Sequence, residues 1–564
     1  MNNRIIMLLV GVLLYKLSIA QITGEVRVNP NEITVSQKDG YDVIQWSKGS
    51  KYKTLVGSPD IPVLYQTYVL PFGVDVTNID IEVNDMIDLE GQFLPYPQQQ
   101  DVPTDNSLLA TFNEPDSVYY SIGQFPTNAV EIVSSFNEMG YNLVTLCISP
   151  IIWNSGTHKI SLRDIAFTIN YDAVKGNVKK TMKGSLRRIN LNRKVIKSMV
   201  ENPDDVDNFY TAPLQESNMR TAINDPIPVD VISEQIPDYI IITNEELKPE
   251  FQRLADWKTQ KGVPTLIKKI EDIKSGFQGA DLSEKVHAYL RECYLKWGEG
   301  LFVLLGGDIN VVPTRFYLHD NKEFPSDAYF ADLECDWNSN RNHLFKEKID
   351  NIKNERLCYV GRAPVEDSVE ASIFVNKVLA YEQMNNNDIN KQYLLNHLIA
   401  SAFKGKNKSG FLYNGGQDSL FNYFKSIPSI TNQWFLFDHY NCACSNHAPQ
   451  TIVTNGEELN REHFLSALQN GGNSGLGYFH IVYHMDHSNP RCKGASVKDK
   501  CENNYVSDID GLTNGDYQQF VISGGSKPAM FNYDCIAESF INNPNGGAVA
   551  FIGNANNGYS SECS

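Results

Sequence analysis

The chain has 564 residues, of which 42% are hydrophobic, 11% aromatic and 21% charged. This ordinary globular usage excludes disordered, collagen-like and coiled-coil architectures, and the length predicts about three or four domains at ~150 residues each. Forty-nine Lys and Arg against 67 Asp and Glu leave a net charge of -18, a balance that argues against a nucleic-acid partner, which would want a basic face.

The first twenty residues read as a secretory signal peptide. Met1-Asn2-Asn3-Arg4 gives a positive start, Ile5 to Tyr15 is an apolar run, and Ser18-Ile19-Ala20 is a small-x-small cleavage site before Gln21. The apolar run is too short to cross about 30 Å of hydrocarbon, and no later segment reaches the ~18 apolar residues of a spanning helix. The expectation is an exported protein, secreted or at the cell surface, with no membrane span.

From Gln21 to Met199 short β-type runs alternate with turn residues, as in Tyr41 to Trp46, Asn78 to Val83 and Lys159 to Leu162. This pattern predicts an all-β, sandwich-like unit over 21–199. His158 and Cys147 within it read as structural. A basic stretch, Lys179, Lys180, Lys183, Arg187, Arg188, Arg193, Lys194 and Lys197, then gives way to Asn202-Pro203-Asp204-Asp205. Such a run predicts a solvated linker and, in an exported protein, a place for a protease to cut. The linker is assigned to 200–235.

After Ile236 strands and helices alternate. Asp238 to Thr243 is a buried-strand run, Leu247 to Lys261 a helix with Phe251, Leu254 and Trp257 on one face, and Thr265 to Ile267 a strand. Leu282 to Trp297 is a helix, and Leu301 to Leu305 a strand stopped by Gly306-Gly307-Asp308. The second part repeats the texture with a helix over Glu462 to Leu468, strands over Tyr478 to Tyr483 and Gln519 to Ser523, a helix over Cys535 to Ile541 and a strand over Ala548 to Ile552. This is the signature of an α/β fold with a parallel sheet covered on both faces. Ligands of such sheets sit beyond the carboxyl ends of the strands. Asp308, the segment His484-Met485-Asp486-His487-Ser488 and the loop Ser523-Gly524-Gly525-Ser526 occupy those places, and they suit a general base and a nucleophile beside backbone N–H groups. Turns after strands are rich in Gly and Ser in any case.

Ten cysteines are too sparse for a disulfide-built scaffold. Cys492 and Cys501 flank a Lys-rich loop and are the pair expected to oxidise. Cys442-x-Cys444 with His447 departs from zinc spacing, and no second ligand pair follows.

The region Asp238 to Tyr559 resembles the gingipain-type cysteine peptidases, whose catalytic core is caspase-like. The resemblance rests on ordered signatures: Leu304 to Asp308 with Val312-Pro313, Ser326 to Leu333, Asp336-Trp337-Asn338, Val360 to Val365, Leu512 to Gly515, Cys535 to Glu538 and Gly546 to Asn554. Upstream, Ser58 to Val63 with Leu70-Pro71-Phe72-Gly73 is similar to the family's N-terminal prodomain. The resemblance implies a caspase-like, doubly wound, mainly parallel sheet in two sub-domains over 236–564, preceded by an all-β inhibitory prodomain held within the same chain. It also implies hydrolysis of peptide bonds in protein or peptide substrates by a Cys/His-type dyad. The family usually continues past the strand at 548–552 with further domains, so the peptidase region reads as C-terminally incomplete.

In the family a histidine follows a strand beside a small residue. His487-Ser488 fits this best and His484 is the second choice, with Ser488 and Gly525 as backbone donors to an oxyanion. The family's nucleophilic cysteine falls on Ser526. Three readings follow: Ser526 replaces the thiol in an altered or inactive homologue, Cys535 acts instead, or the register differs. A thiol is partly thiolate near neutral pH whereas a serine hydroxyl needs an adjacent base. Asp308, Asp327 and Glu355 are candidates for acidic support of the histidine. The resemblance implies no required cofactor and allows structural calcium at the aspartates. The rival classes are a non-catalytic peptide-binding pseudopeptidase of the same fold and a carbohydrate-binding surface protein.

Overall fold

A computed structural model describes residues 20–52, 55–100, 112–172, 179–213, 236–350, 352, 355–384, 389–402, 405–406, 412–413, 424–437, 455–486, 488–494 and 503–558. The signal-peptide reading of 1–20, the Cys442, Cys444 and His447 group, Cys501 and His487 lie outside the described residues, apart from Ala20, which opens the first strand.

The N-terminal unit is a β-sandwich. Strand Lys159–Tyr171 is the hub of one sheet, pairing antiparallel with Ala20–Val26, Ile151–Asn154 and Val76–Asp88. A register shift between Arg163 and Ile165 changes which parity faces inward. Ile160 and Leu162 are buried before it, and Ile165, Phe167, Ile169 and Tyr171 after it, as a bulge requires when side chains alternate. The second sheet joins Ser50–Lys51, Pro62–Leu70, Tyr141–Ile148 and Val130–Glu138. Tyr68, Val144, Leu146 and Ile148 of that sheet share one core with Ile165, Phe167 and Ile169 of the first. Strand Val76–Asp88 forms an outer edge, and Ile81, Val83, Met86 and Ile87 on it are exposed.

The basic stretch predicted as a solvated linker is instead a packed helix, Leu186–Met199, capped by Ser185, whose hydroxyl accepts from Arg188 N at 3.2 Å. Arg188, Ile189, Asn192 and Ile196 recur at helical spacing and are buried, so the charges divide between one solvent face and one docked face. A second helix, Pro203–Phe209, occupies the start of the segment assigned to the linker.

The region after 236 is α/β. Its first sheet is built from β1 (Tyr239–Thr243), β2 (Thr265–Lys269), β3 (Leu301–Gly306) and β4 (Cys358–Ala363), all parallel in the order β2-β1-β3-β4. Helices α1 (Lys248–Gln260), α2 (Leu282–Trp297) and α3 (Ser368–Glu382) cover it. Successive residues of one strand feed opposite layers. Ile240, Ile242, Val303 and Leu305 pack with Val286 and Leu290 of α2, whereas Ile241 and Leu304 pack with Phe251 and Leu254 of α1 and with Phe374 of α3. A strand buried on both faces therefore reads as an unbroken apolar run.

The second sheet holds β5 (Asn396–Ser401), β6 (Asn432–Phe437), β7 (Ile481–Met485), β8 (Gln519–Ser523) and β9 (Ala548–Gly553), parallel in the order β6-β5-β7-β8-β9, with Gly456–Glu458 outside β6. Helices α4 (Arg461–Asn470) and α5 (Ile536–Asn542) lie on one face, where Phe464, Leu468 and Phe540 meet Leu398, Leu436, Val482 and Val521. The two sheets meet through Ile541, which joins the α1–α3 core, and Phe551, which touches both cores. Lys377 of α3 donates to Phe540 O, Ile541 O and Asn543 O at the end of α5. This two-sheet α/β arrangement after a β-sandwich is the fold class expected from the sequence. Among the described residues no helix is long and apolar enough to cross a membrane.

Candidate active site

The parallel pairing of β7 with β8 sets the loops that follow them side by side. Ser488 Oγ donates to Ser526 O across 2.8 Å. Gly525 lies so close beneath that a Cβ there would stand 2.1 Å from Ser488 Oγ and 2.8 Å from Asp486 O. Glycine is therefore required by close approach. The structure thus brings Ser488, Gly525 and Ser526 together, with the Ser488 hydroxyl committed to the Ser526 carbonyl.

His484 belongs to β7 and is fully buried. Its Nδ1 stands 3.1 Å from Ser523 Oγ, and its ring lies 5.8 Å from that of Phe464 on α4. The imidazole points into the layer between sheet and helix. Ser526 is fully buried as well, and its Oγ accepts from Gly558 N at 3.1 Å and lies 3.2 Å from Gly558 O. Cys535 caps the start of α5 and is fully buried. Burial, reinforced by the Glu538 charge, pushes its thiol far above the usual range, which holds it as the neutral, weakly nucleophilic form. Cys492, expected to pair with Cys501, is a buried reduced thiol that accepts from Asn489 Nδ2 at 2.8 Å.

The three candidate acids separate. Asp327 clasps Arg362, with contacts of 2.7 and 2.8 Å, and accepts from Thr314 Oγ1 at 2.8 Å. It is a structural partner at the carboxyl end of β4. Glu355 precedes the amino end of β4, beside a shallow hollow of about 340 Å³ shared with Glu334, Asp336 and Asp350. Asp308, after β3, is buried, and burial raises its carboxyl above the usual range. Its Oδ1 has no hydrogen-bond partner among the described residues.

Asp308 opens onto a cavity of about 540 Å³ between the two sheets, also lined by Glu366, Glu370, Asp510, Asp534 and Glu538. Burial raises Glu538 to about 8, and Asp308, Asp534 and Glu370 add to it against the pull of the Cys535 N–H. Among the described residues no three His, Cys, Asp or Glu side chains converge tightly enough to hold a metal on their own. The sequence reading had Asp308 but missed the other five acids. The available signal was position: Glu366 and Glu370 follow β4, and Asp534 and Glu538 flank the start of α5, where strand-end chemistry collects.

Comparison with known proteins places the chain. A model of peptidase family C25 matches residues 232–564. No curated protein matches. Among solved structures, the complex of Porphyromonas gingivalis RgpB pro- and mature domains is similar at 17% identity, covering 57% of this chain and 64% of that one with a TM-score of 0.41. The Arg-specific cysteine proteinase gingipain R, RgpB, is similar at 16% identity, covering 57% and 63% with a TM-score of 0.42. Dimeric latent PorU from Porphyromonas gingivalis is similar at 13% identity, covering 59% and 39% with a TM-score of 0.22. The chain therefore spans less than two thirds of the length of these structures. The family match takes in more than half of the sequence, from before β1 to the last residue, and the chain belongs to peptidase family C25, the gingipain family of cysteine peptidases.

Proposed function

We propose that this chain is an exported cysteine-type endopeptidase of the gingipain kind, acting on protein substrates laid across the loops after β7 and β8. Family membership over residues 232–564 supports this reading most directly, and the contact between Ser488 and Ser526 supports seeking the site at these two loops. In the expected chemistry His487 serves as general base and acid, with a pKa near the working pH, and the nucleophile stands at the position of Ser526. Backbone N–H groups around Gly525 and Ser488 would receive the developing oxyanion. The β-sandwich is the intramolecular prodomain of this reading.

A second reading has its own observation. The Ser526 hydroxyl is buried against Gly558, and the Cys535 thiol is buried and neutral. With both held inward, the same strand ends would receive a peptide without cutting it. Incubating the purified protein with a peptide library and with a thiol-directed electrophilic probe separates the two. Cleavage that disappears in His487→Ala supports the endopeptidase. Binding without cleavage, with His487→Ala equal to wild type, selects the pseudopeptidase, in which Ser526→Cys is the variant expected to gain reactivity.

In this reading the acidic cavity is the place for the calcium that the family resemblance allows. Calcium takes six to eight oxygens of mixed kind. Asp308 Oδ1, Asn532 Oδ1 and Asn542 Oδ1 are buried on the cavity wall without hydrogen-bond partners among the described residues. Amide and main-chain oxygens would complete a shell that the carboxylates do not close. When bound, the ion supplies charge that offsets the crowded carboxylates and ties the two sheets together. The chain's own residues position the substrate.

A further inference from the structure

We propose that the segment Asn554–Gly558 is a strap that closes the loop after β8, and that Tyr317, on a hairpin of the first sheet unit, pins it shut. The proposal rests on the reading that puts the nucleophile position at Ser526. It adds a control on that position: the hydroxyl is withheld until the strap lifts.

The strap follows β9 and runs beside residues 524–529. Lys527 N donates to Asn556 O at 2.9 Å and Ala529 N to Asn554 O at 3.2 Å. Asn554 Nδ2 donates to Gly525 O at 3.0 Å. Gly558 N donates to Ser526 Oγ at 3.1 Å, and the same hydroxyl lies 3.2 Å from Gly558 O. Main chain packs on main chain here, since a Cβ at Gly558 would stand 2.4 Å from Gly524 O and 2.8 Å from Gly525 O. Ser526 is fully buried. A hydroxyl turned inward and engaged with one residue as both donor and acceptor is not placed to attack a substrate carbonyl.

The other end of the restraint lies in the first sheet unit. Arg315–His319 and Lys322–Ser326 form an antiparallel hairpin between β3 and β4. Tyr317 Oη on that hairpin accepts from Asn556 Nδ2 at 3.0 Å. Asn556 therefore reaches the hairpin with its side chain and Lys527 with its carbonyl, which couples Tyr317 to the residue next to Ser526. Lys527 has φ 60°, a left-handed backbone that a residue with a Cβ adopts only at a cost. The hydrogen bond from its N–H to the strap holds it there. Lifting the strap lets Lys527 relax and turns the residue before it. Closure is thus strained and reversible, which separates a latch from fixed packing.

The experiment places a thiol at the withheld position in the full chain. Ser526→Cys is treated with iodoacetamide, and alkylation at position 526 is followed by peptide mass spectrometry. The buried thiol of Cys358 in the same sample gauges global opening. Labelling at 526 is expected to be much slower in the folded protein than in urea. Tyr317→Phe in that background should speed it about fivefold, the scale of one lost hydrogen bond. Lys527→Gly should slow it, because glycine accepts the left-handed backbone without strain. Labelling of Cys358 should not move in either variant. Folded-state labelling as fast as in urea, an unchanged rate with Tyr317→Phe, or equal acceleration at Cys358 would overturn the proposal.

Because a thiol at 526 could disturb the packing, the serine protein supplies a second measurement. Amide hydrogen exchange over 527–529 and 554–558 is expected to quicken in Tyr317→Phe while exchange in β8 stays as in wild type. Equal exchange over those segments in the two proteins overturns the proposal as well. Neither readout requires hydrolysis, so the strap stands or falls apart from the peptidase reading.

Discussion

The guanidinium of Arg362 and the carboxylate of Asp327 form a two-pronged, half-buried pair at the carboxyl end of β4. Arg362 also donates to Gly307 O and Val312 O at 2.7 Å each, so the pair fixes the loop that carries Asp308. Breaking one half of such a pair leaves the other charge without its hydrogen bonds, at a cost of about 1.5–3 kcal/mol. Asp327→Ala is expected to lose that much in chemical denaturation. Asp327→Asn, which keeps an acceptor, is expected to lose less.

Lys377 links the sheets through three carbonyls at the end of α5, and burial lowers its ammonium to about 7. Lys377→Met leaves those carbonyls without their donor and should destabilise by about 1–3 kcal/mol at neutral pH. The unfolded chain keeps its proton up to about 10.4, so between those values it binds more protons than the folded one. Stability of the wild type relative to Lys377→Met should therefore rise from pH 7 toward 10, as thermal melts across that range would report.

Glu538 runs the other way. Its folded pKa of about 8 lies above that of an exposed glutamate, so its contribution is present at low pH and is lost as pH rises through 8. Glu538→Gln is expected to match wild type at pH 4 and to melt higher at pH 9. Millimolar calcium should raise the melting temperature of the wild type at pH 8, and Asp308→Asn should reduce that rise, since a ligand of the folded state alone stabilises by mass action.

Gly525→Ala forces a methyl against Ser488 Oγ and the Asp486 carbonyl. Backbone cannot yield as a flexible side chain can, and overpacking of this kind costs about 1–3 kcal/mol. The variant should melt lower and lose whatever peptide binding or hydrolysis the wild type shows. A melt with binding by fluorescence anisotropy checks both.

Much of the fold was legible because its strands are short apolar runs and its helices keep one face. The helix at Leu282–Trp297 and the strand at Tyr41–Trp46 match their predicted bounds. Strands Asn396–Ser401 and Asn432–Phe437 gave no such signal: each is only six residues of mixed polarity, and its place is set by neighbours distant in sequence. The helix at Leu186–Met199 was misread because charge density suggested solvent, whereas Arg188 is spent inward. Composition reports how many charges a segment carries and not where each one points. At the site, the positions of Ser526 and Gly525 after β8 were readable from strand order. The inward hydroxyl of Ser526 was not, because its partner Gly558 lies 32 residues away.

Among the described residues the outer strand Val76–Asp88 pairs along one edge only, with Ile81, Val83, Met86 and Ile87 exposed. Such a ribbon invites another molecule to stack along it unless something repels the newcomer. Asp80, Glu82, Asp85 and Asp88, all exposed on that strand, supply the repulsion. Those four carboxylates stand guard over the strand. Exchanging all four for their amides should let copies of the protein associate along this ribbon, as light scattering would show.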